Sequence, residues 1–221
     1  MPVSPPPSDV PSPRPRRYVV LVPVKPPSVG KSRLRGLAAE DRRALAEAFA
    51  LDTVAACVAA TSVAQVLVVT DDAAFSARLS GLGTAAIPDG VAGDLNGTLR
   101  QAAAEARRRW PELRPVALCA DLPALRPEDL DATLAQSGPH PAFVPDAAGV
   151  GTTLYVAPFE EFDPRFGTGS REAHLDAGAR ELAQAPPSIR RDVDDVDDLR
   201  DAVLLGVGAH TAGLAGTTHR P

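Results

Sequence analysis

A chain of 221 residues suffices for one sizeable domain with tails, and 44% hydrophobic against 23% charged side chains is the balance of a globular protein rather than a fibrous or disordered one. A net charge of −5 excludes general affinity for nucleic acid, which needs a basic footprint, and an apolar run such as 18–24 is far too short to span a bilayer. Aromatic residues make up only 4%, so the core must be built from Val, Leu, Ala and Ile.

Residues 1–17 hold seven prolines and almost no large apolar side chain, which reads as a disordered arm. The stretch before the lysine loop does not read as a continuous signal-peptide core. The run 18–24 is a strand apolar on both faces, as in a covered parallel sheet. A Pro/Gly loop follows with Lys25, Lys31 and Arg33. Of 23 basic residues only two are lysines, and both lie in this loop. Lysine is a compact point charge where arginine is a planar fork, so a phosphate chain is the natural ligand.

Residues 38–60 are helical, with Leu51, Val54, Ala55 and Val58 at the spacing of one buried face. A strand over 65–70 ends in Asp71-Asp72, a helix covers 73–80, and a short strand covers 84–87. Asp94 and Asn96 open a helix that runs to about residue 109. A fourth strand, 116–120, runs into Asp121-Leu122-Pro123. Pro127 starts the next helix, with Glu128 and Asp129 in its first turn. A fifth strand covers 142–144. A glycine turn at 149–151 leads into a strand to Val156. A second glycine turn, 166–170, leads into a helix to about residue 183. A last strand is expected over 189–193 and a last helix over 197–205. Residues 207–221 read as a flexible tail. Strand and helix alternate without repeats, which predicts one three-layer α/β domain over 18–206 with a mostly parallel sheet. Cys57 and Cys119 lack a metal-ligand spacing and read as small buried hydrophobes in a reduced, cytoplasmic protein.

Charge is unevenly spread. Positions 14–35 carry seven cations and no acid, while 192–201 carry six aspartates. The Gly30-Lys31-Ser32 triplet invites a P-loop reading, but that motif needs Gly where Lys25 stands, and two prolines remove amides a P-loop uses. What remains is a looser cationic loop. Asp121, at the carboxyl end of a strand, lies where open α/β sheets bind ligands. Asp192 and Asp194 alternate with Val193, so both carboxylates share a face and repel unless a cation lies between them. Mg²⁺ is such a cation, held by one or two carboxylates and substrate phosphates. Asp195, Asp197 and Asp198 cap and solvate the following helix. The two glycine turns can offer backbone amides to a small anion, and Ser170 would open a helix there. His174, one turn further on, reads as structural or solvent-facing. No Ser/His/Asp or Cys/His set stands out for covalent catalysis.

Several short motifs, in one order over roughly 18–205, resemble the guanylyltransferases of deazaflavin coenzyme F-420 biosynthesis. They are Val-Pro-Val-Lys with its later Lys-Ser-Arg-Leu, Val-Val-Thr-Asp-Asp, Gly-Asp-Leu-Asn, Asp-Leu-Pro-Ala-Leu, Gly-Thr-Thr-Leu, Phe-Gly-x-Gly-Ser and Asp-Val-Asp. The resemblance implies a Rossmann-like nucleotidyltransferase fold with a mostly parallel mixed sheet. It implies transfer of GMP from GTP to phosphoenolpyruvate or 2-phospho-L-lactate with Mg²⁺, and a downstream transferase that accepts the unstable product. Carried over by position, Asp121, Asp192 and Asp194 resemble metal ligands. Thr152, Gly167 and Ser170 resemble the phosphoacid site, Lys25, Lys31 and Arg33 the triphosphate loop, and Asp94 and Asn96 nucleoside contacts. Two other readings are weighed against it: a nucleotidylyltransferase for a sugar phosphate or a molybdopterin, and a non-catalytic nucleotide-binding regulator.

Overall fold

The structure is a computed structural model that describes residues 17–24, 34, 37–91 and 93–215. Its sheet has strands β1 (Tyr18–Pro23), β2 (Val63–Val69), β3 (Ala85–Ile87), β4 (Arg114–Leu118), β5 (Ala142–Pro145), β6 (Thr152–Val156) and β7 (Arg180–Glu181). They lie in the order β3-β2-β1-β4-β6-β5-β7. The first four are parallel neighbours, β6 runs antiparallel between β4 and β5, and β7 pairs parallel with β5.

The central strand explains the unbroken apolar run. Val19, Val20, Leu21 and Val22 are all 0% exposed, because each face of β1 is covered. Val20 and Val22 pack with Leu51, Val54 and Cys57 of α1 (Ala39–Ala59). Phe75 and Leu79 of α2 (Ala73–Ser80) and Leu130 and Leu134 of α4 (Pro127–Gln136) join that layer. Val19 and Leu21 pack on the other side with Leu99, Ala102 and Ala106 of α3 (Leu95–Arg109). Among the described residues no helix is long and apolar enough to cross a membrane.

The chain departs from the sequence-based expectation in four places. The helix from Ser170 is short, α5 (Ser170–Asp176), because the Gly178 and Ala179 amides close back on the Leu175 and His174 carbonyls and the chain then joins the sheet as β7. The expected strand at 189–193 is instead one helical turn, α6 (Pro187–Arg190), started by a proline whose fixed φ suits a first helical position. Residues 191–193 follow outside any strand, and α7 (Val196–Leu205) comes next. The region expected to be a tail forms α8 (Ala209–Ala215), which docks on α1: the buried Asp52 carboxylate accepts from the His210 and Thr211 amides at 3.0 and 2.8 Å. The domain therefore reaches at least to residue 215. Val58 is 40% exposed rather than buried; the covered part of α1 lies around 48–57, between sheet and α8.

Candidate active site

The strand order changes direction beside β1, whose neighbours are β2 on one side and β4 on the other. Open α/β sheets leave a crevice at such a switch point, outside the carboxyl ends of the strands. Three things meet at that edge. β1 ends here at Pro23; Lys25, Lys31 and Arg33 lie outside the described residues. β4 runs out toward Asp121. Because β6 is antiparallel, it begins at the same edge with Thr152, and the Cys119 amide donates to the Thr153 carbonyl at 2.9 Å.

The turn carrying Asp121 is fixed from below by Thr53, which is fully buried in α1. The Thr53 hydroxyl donates to the carbonyls of Phe49 (2.8 Å) and Ala120 (3.2 Å) and accepts from the Leu122 amide (3.0 Å). Both peptide groups flanking Asp121 are thus held by one side chain. The Asp121 carbonyl in turn accepts from the Val193 amide at 3.0 Å, which draws the Asp192–Asp194 segment alongside. Val193 is buried against Leu34, Leu45 and Phe49, so the alternation predicted for a strand survives without strand pairing. Asp195 caps α7, accepting from the Asp197 and Asp198 amides, as expected.

The carboxylates converge on Asp192. Its pKa is pushed up from 3.8 to about 7, first by burial and then by the negative charges of Asp121, Asp194 and Asp146. The charges of the other two sequence-predicted aspartates thus bear on Asp192, with Asp146 as a fourth, although among the described residues no three carboxylates are arranged to hold an ion. Asp146 takes the Val150 and Gly151 amides on its carboxylate at 2.9 and 2.8 Å and the Gly149 amide on its carbonyl at 3.2 Å. A Cβ on Gly151 would lie 2.4 Å from the Asp146 carboxylate, so only glycine fits. The anion served by the first glycine turn is the chain's own Asp146, not a ligand. The sequence signal was an Asp just ahead of a glycine turn, a residue whose short carboxylate readily takes up nearby backbone amides.

The second glycine turn keeps donors to spare. The Phe166 amide donates to Asn96 and that of Ser170 to the Gly167 carbonyl (3.1 Å). The amides of Gly167, Thr168 and Gly169 make no hydrogen bond among the described residues. Gly167 has φ 129°, a conformation that side-chain-bearing residues rarely adopt. The expected Ser170 amide donor is thus engaged inside the turn, and the three amides before it are the ones without a partner among the described residues. Thr152 and Ser170 are 6% and 3% exposed. The Arg171 amide donates to the Val150 carbonyl at 3.1 Å, tying the two glycine turns together.

His174 is 0% exposed, not solvent-facing. Its ring is stacked between Phe143 and Tyr155, with centroids at 5.3 and 4.8 Å, and meets the Phe166 ring edge-on at 5.7 Å. Burial pushes its pKa down to about 4.

Asp94 and Asn96 each have partners within the chain. Asn96 donates to the Phe166 carbonyl at 2.9 Å and accepts from the Phe166 amide at 2.8 Å, so both ends of its side chain hold the second glycine turn. Asp94 caps α3 through the Gly97 amide at 2.9 Å and lies 3.6 Å from Arg100. With Pro23, Val24, Val69 and Asp89 it lines a narrow cleft beside the ends of β1 and β2. A roomier hollow of about 1030 Å³ opens at the opposite, amino edge of the sheet. Its Asp131 carboxylate is taken up by the amides and hydroxyls of Thr61 and Ser62, and none of the residues above lines it. We place the chemistry at the carboxyl edge.

The sequence profile of the family described as "Guanylyl transferase CofC like" matches residues 18–214. The phosphoenolpyruvate guanylyltransferase of Thermomonospora curvata is 49% identical over 201 residues, covering 90% of this chain and 88% of that protein. That of Streptomyces coelicolor is 49% identical over 203 residues, covering 90% and 96%. Among solved structures, one from Desulfovibrio desulfuricans G20, assigned to the nucleotide-diphospho-sugar transferases, superposes with a TM-score of 0.66 at 17% identity, over 91% of this chain and 95% of that one. That likeness speaks for the fold alone.

Proposed function

The chain belongs to the CofC-like guanylyl transferase family, and from that premise we propose that it transfers GMP from GTP to the phosphate of phosphoenolpyruvate. The observation that carries the reading at residue level is the meeting of the Asp192 carboxylate cluster with Thr152 and the second glycine turn at one sheet edge. Phosphoenolpyruvate is preferred over 2-phospho-L-lactate because the relatives at 49% identity bear its name. The relatives' names speak against a sugar-phosphate or molybdopterin nucleotidylyltransferase, and the presence of all three aspartates speaks against a non-catalytic regulator.

In the proposed reaction an oxygen of the acceptor's phosphate bonds to the α-phosphorus of GTP. The bond from that phosphorus to the bridging oxygen of the β-phosphate breaks, and pyrophosphate leaves. The nucleophile is already an anion, so the chain need not supply a general base. Catalysis is then positioning and charge neutralisation. Thr152 and the amides of 167–169 would hold the acid, and Ser170 would close the pocket beside them. Lys25, Lys31 and Arg33 would hold the triphosphate, and the hollow lined by Asp94, Asn96, Arg100 and Phe166 would receive the nucleoside.

The donor set at Asp192 suits a divalent cation: hard oxygens, with one carboxylate held near half-protonation by burial and then by its acidic neighbours. Among the described residues no three such side chains are arranged to hold an ion unaided, so substrate phosphates would complete the shell. Mg²⁺ on Asp121, Asp192 and Asp194 would neutralise charge on the reacting phosphates. The product is a mixed diester of pyrophosphate, and we propose that a cytoplasmic transferase of coenzyme F-420 assembly consumes it.

The test is pyrophosphate release from GTP or ATP with Mg²⁺ and a panel of phosphorylated acids and sugars. The expected result is release with GTP and phosphoenolpyruvate, and none with Asp121→Ala although that variant keeps its circular dichroism. Near-normal turnover by Asp121→Ala would overturn the metal assignment, and release with a sugar phosphate alone would overturn the acceptor.

A further inference from the structure

We propose that His174 is a positioning residue that makes the Thr152 hydroxyl an obligate hydrogen-bond donor toward the acid substrate. The argument rests on the reading of Thr152 given above, but its first step is independent of function. The Arg165 backbone N–H lies 3.0 Å from His174 Nε2. A backbone amide can only donate, so Nε2 must present its lone pair. A neutral imidazole has one N–H, which must then be on Nδ1. Nδ1 lies 3.0 Å from Thr152 Oγ1. The ring N–H is therefore the donor, with the threonine oxygen and the Ser170 carbonyl as the acceptors beside it. The hydroxyl's own proton cannot point back at Nδ1 and is left for another acceptor.

Three features keep the ring in that state. Phe143 and Tyr155 stack on its two faces, nearly parallel at 23° and 22°, so a ring flip would have to break both stacks. Complete burial disfavours the cation. A second proton would have to go on Nε2, where it would face the Arg165 N–H, donor against donor. The ring is thus a fixed one-donor, one-acceptor link.

That link serves both walls of the acid pocket. On one side it sets the polarity of Thr152. On the other it anchors the Arg165 amide, whose neighbour Phe166 is held by Asn96. From there the chain enters the turn whose 167–169 amides remain available. Hydroxyl and amides then all face the substrate as donors. The group that satisfies such a set is one with acceptor oxygens only, a phosphate or carboxylate, while a substrate hydroxyl in the same place would have to turn its own proton away.

Two measurements test this on the intact protein. Imidazole ¹⁵N shifts, assigned with His174→Gln as reference, should show His174 neutral at about pH 7 with Nδ1 protonated and Nε2 bare. A protonated Nε2, or a cationic ring, would overturn the inference whatever the enzyme's substrate. The second is a double-mutant cycle on the Michaelis constants. Loss of one hydrogen bond should raise KM for phosphoenolpyruvate about tenfold in both Thr152→Val and His174→Leu, with KM for GTP unchanged. The double variant should be no worse than Thr152→Val, because without the hydroxyl the ring has nothing to polarise. His174→Asn, which can keep an N–H at the Nδ1 position, should recover most of the loss. Additive losses, or equal effects on both substrates, would reduce His174 to a packing residue. If the histidine variants fail to fold, the shifts of the native protein still decide. Absence of any turnover with phosphoenolpyruvate would refute the functional reading while leaving the tautomer result standing.

Discussion

Asp192→Asn should make the metal-free protein more stable at neutral and alkaline pH while abolishing its activity. In the folded chain Asp192 has its pKa raised from 3.8 to about 7. A carboxyl whose folded pKa lies above its unfolded value binds more protons when folded. Its contribution to stability is complete below about pH 4, declines as pH rises, and is fully lost above about pH 7. At about 1.4 kcal/mol per pH unit the rise corresponds to about 4 kcal/mol. Relaxation and water entry reduce this, and we expect about 2 kcal/mol at pH 8, or a rise in Tm of roughly 4–8 °C for a domain of this size. At pH 5 about a third of the gap should be present. The assay is urea unfolding of both proteins with chelator at the two pH values. Adding Mg²⁺ should narrow the gap at pH 8, because the cation replaces the missing positive charge. An Asn variant no more stable than wild type at pH 8, or a gap that does not change with pH, would refute the crowded-carboxylate account.

Three further outcomes follow from the contacts around the site. Thr53→Val removes the hydroxyl that holds both sides of Asp121, should cost about 1–3 kcal/mol, and should lower kcat more than it raises either KM; an unchanged kcat in the folded variant would show that the turn keeps its place without it. Asn96→Ala should raise KM for the phosphoacid about tenfold and spare that for GTP, since both polar ends of Asn96 bind the Phe166 backbone; the opposite pattern would restore Asn96 to the nucleoside. Asp52→Ala should free α8 at a cost of about 1–2 kcal/mol and speed amide exchange at His210 and Thr211 without altering kcat; unchanged exchange would mean that packing alone holds the helix.

What the sequence by itself determined were the features with a local cause. The double-sided burial of β1 follows from an unbroken apolar run, and α2 spans 73–80 as expected, with Asp72 capping it. Asp121, Asp192 and Asp194 were legible because strand ends and alternating acids are readable in one dimension. Only the tertiary structure decided the rest. It inserted β6 antiparallel between β4 and β5, which carries Thr152 to the edge where Asp121 stands. It gave the first glycine turn to Asp146 and spent the Asn96 side chain on Phe166. It also buried His174, which the sequence read as a structural or solvent-facing side chain, between two aromatic rings. Each of these turns on which distant partner a polar group meets. Such pairings are set by how whole elements pack, and residue spacing along the chain carries no record of them.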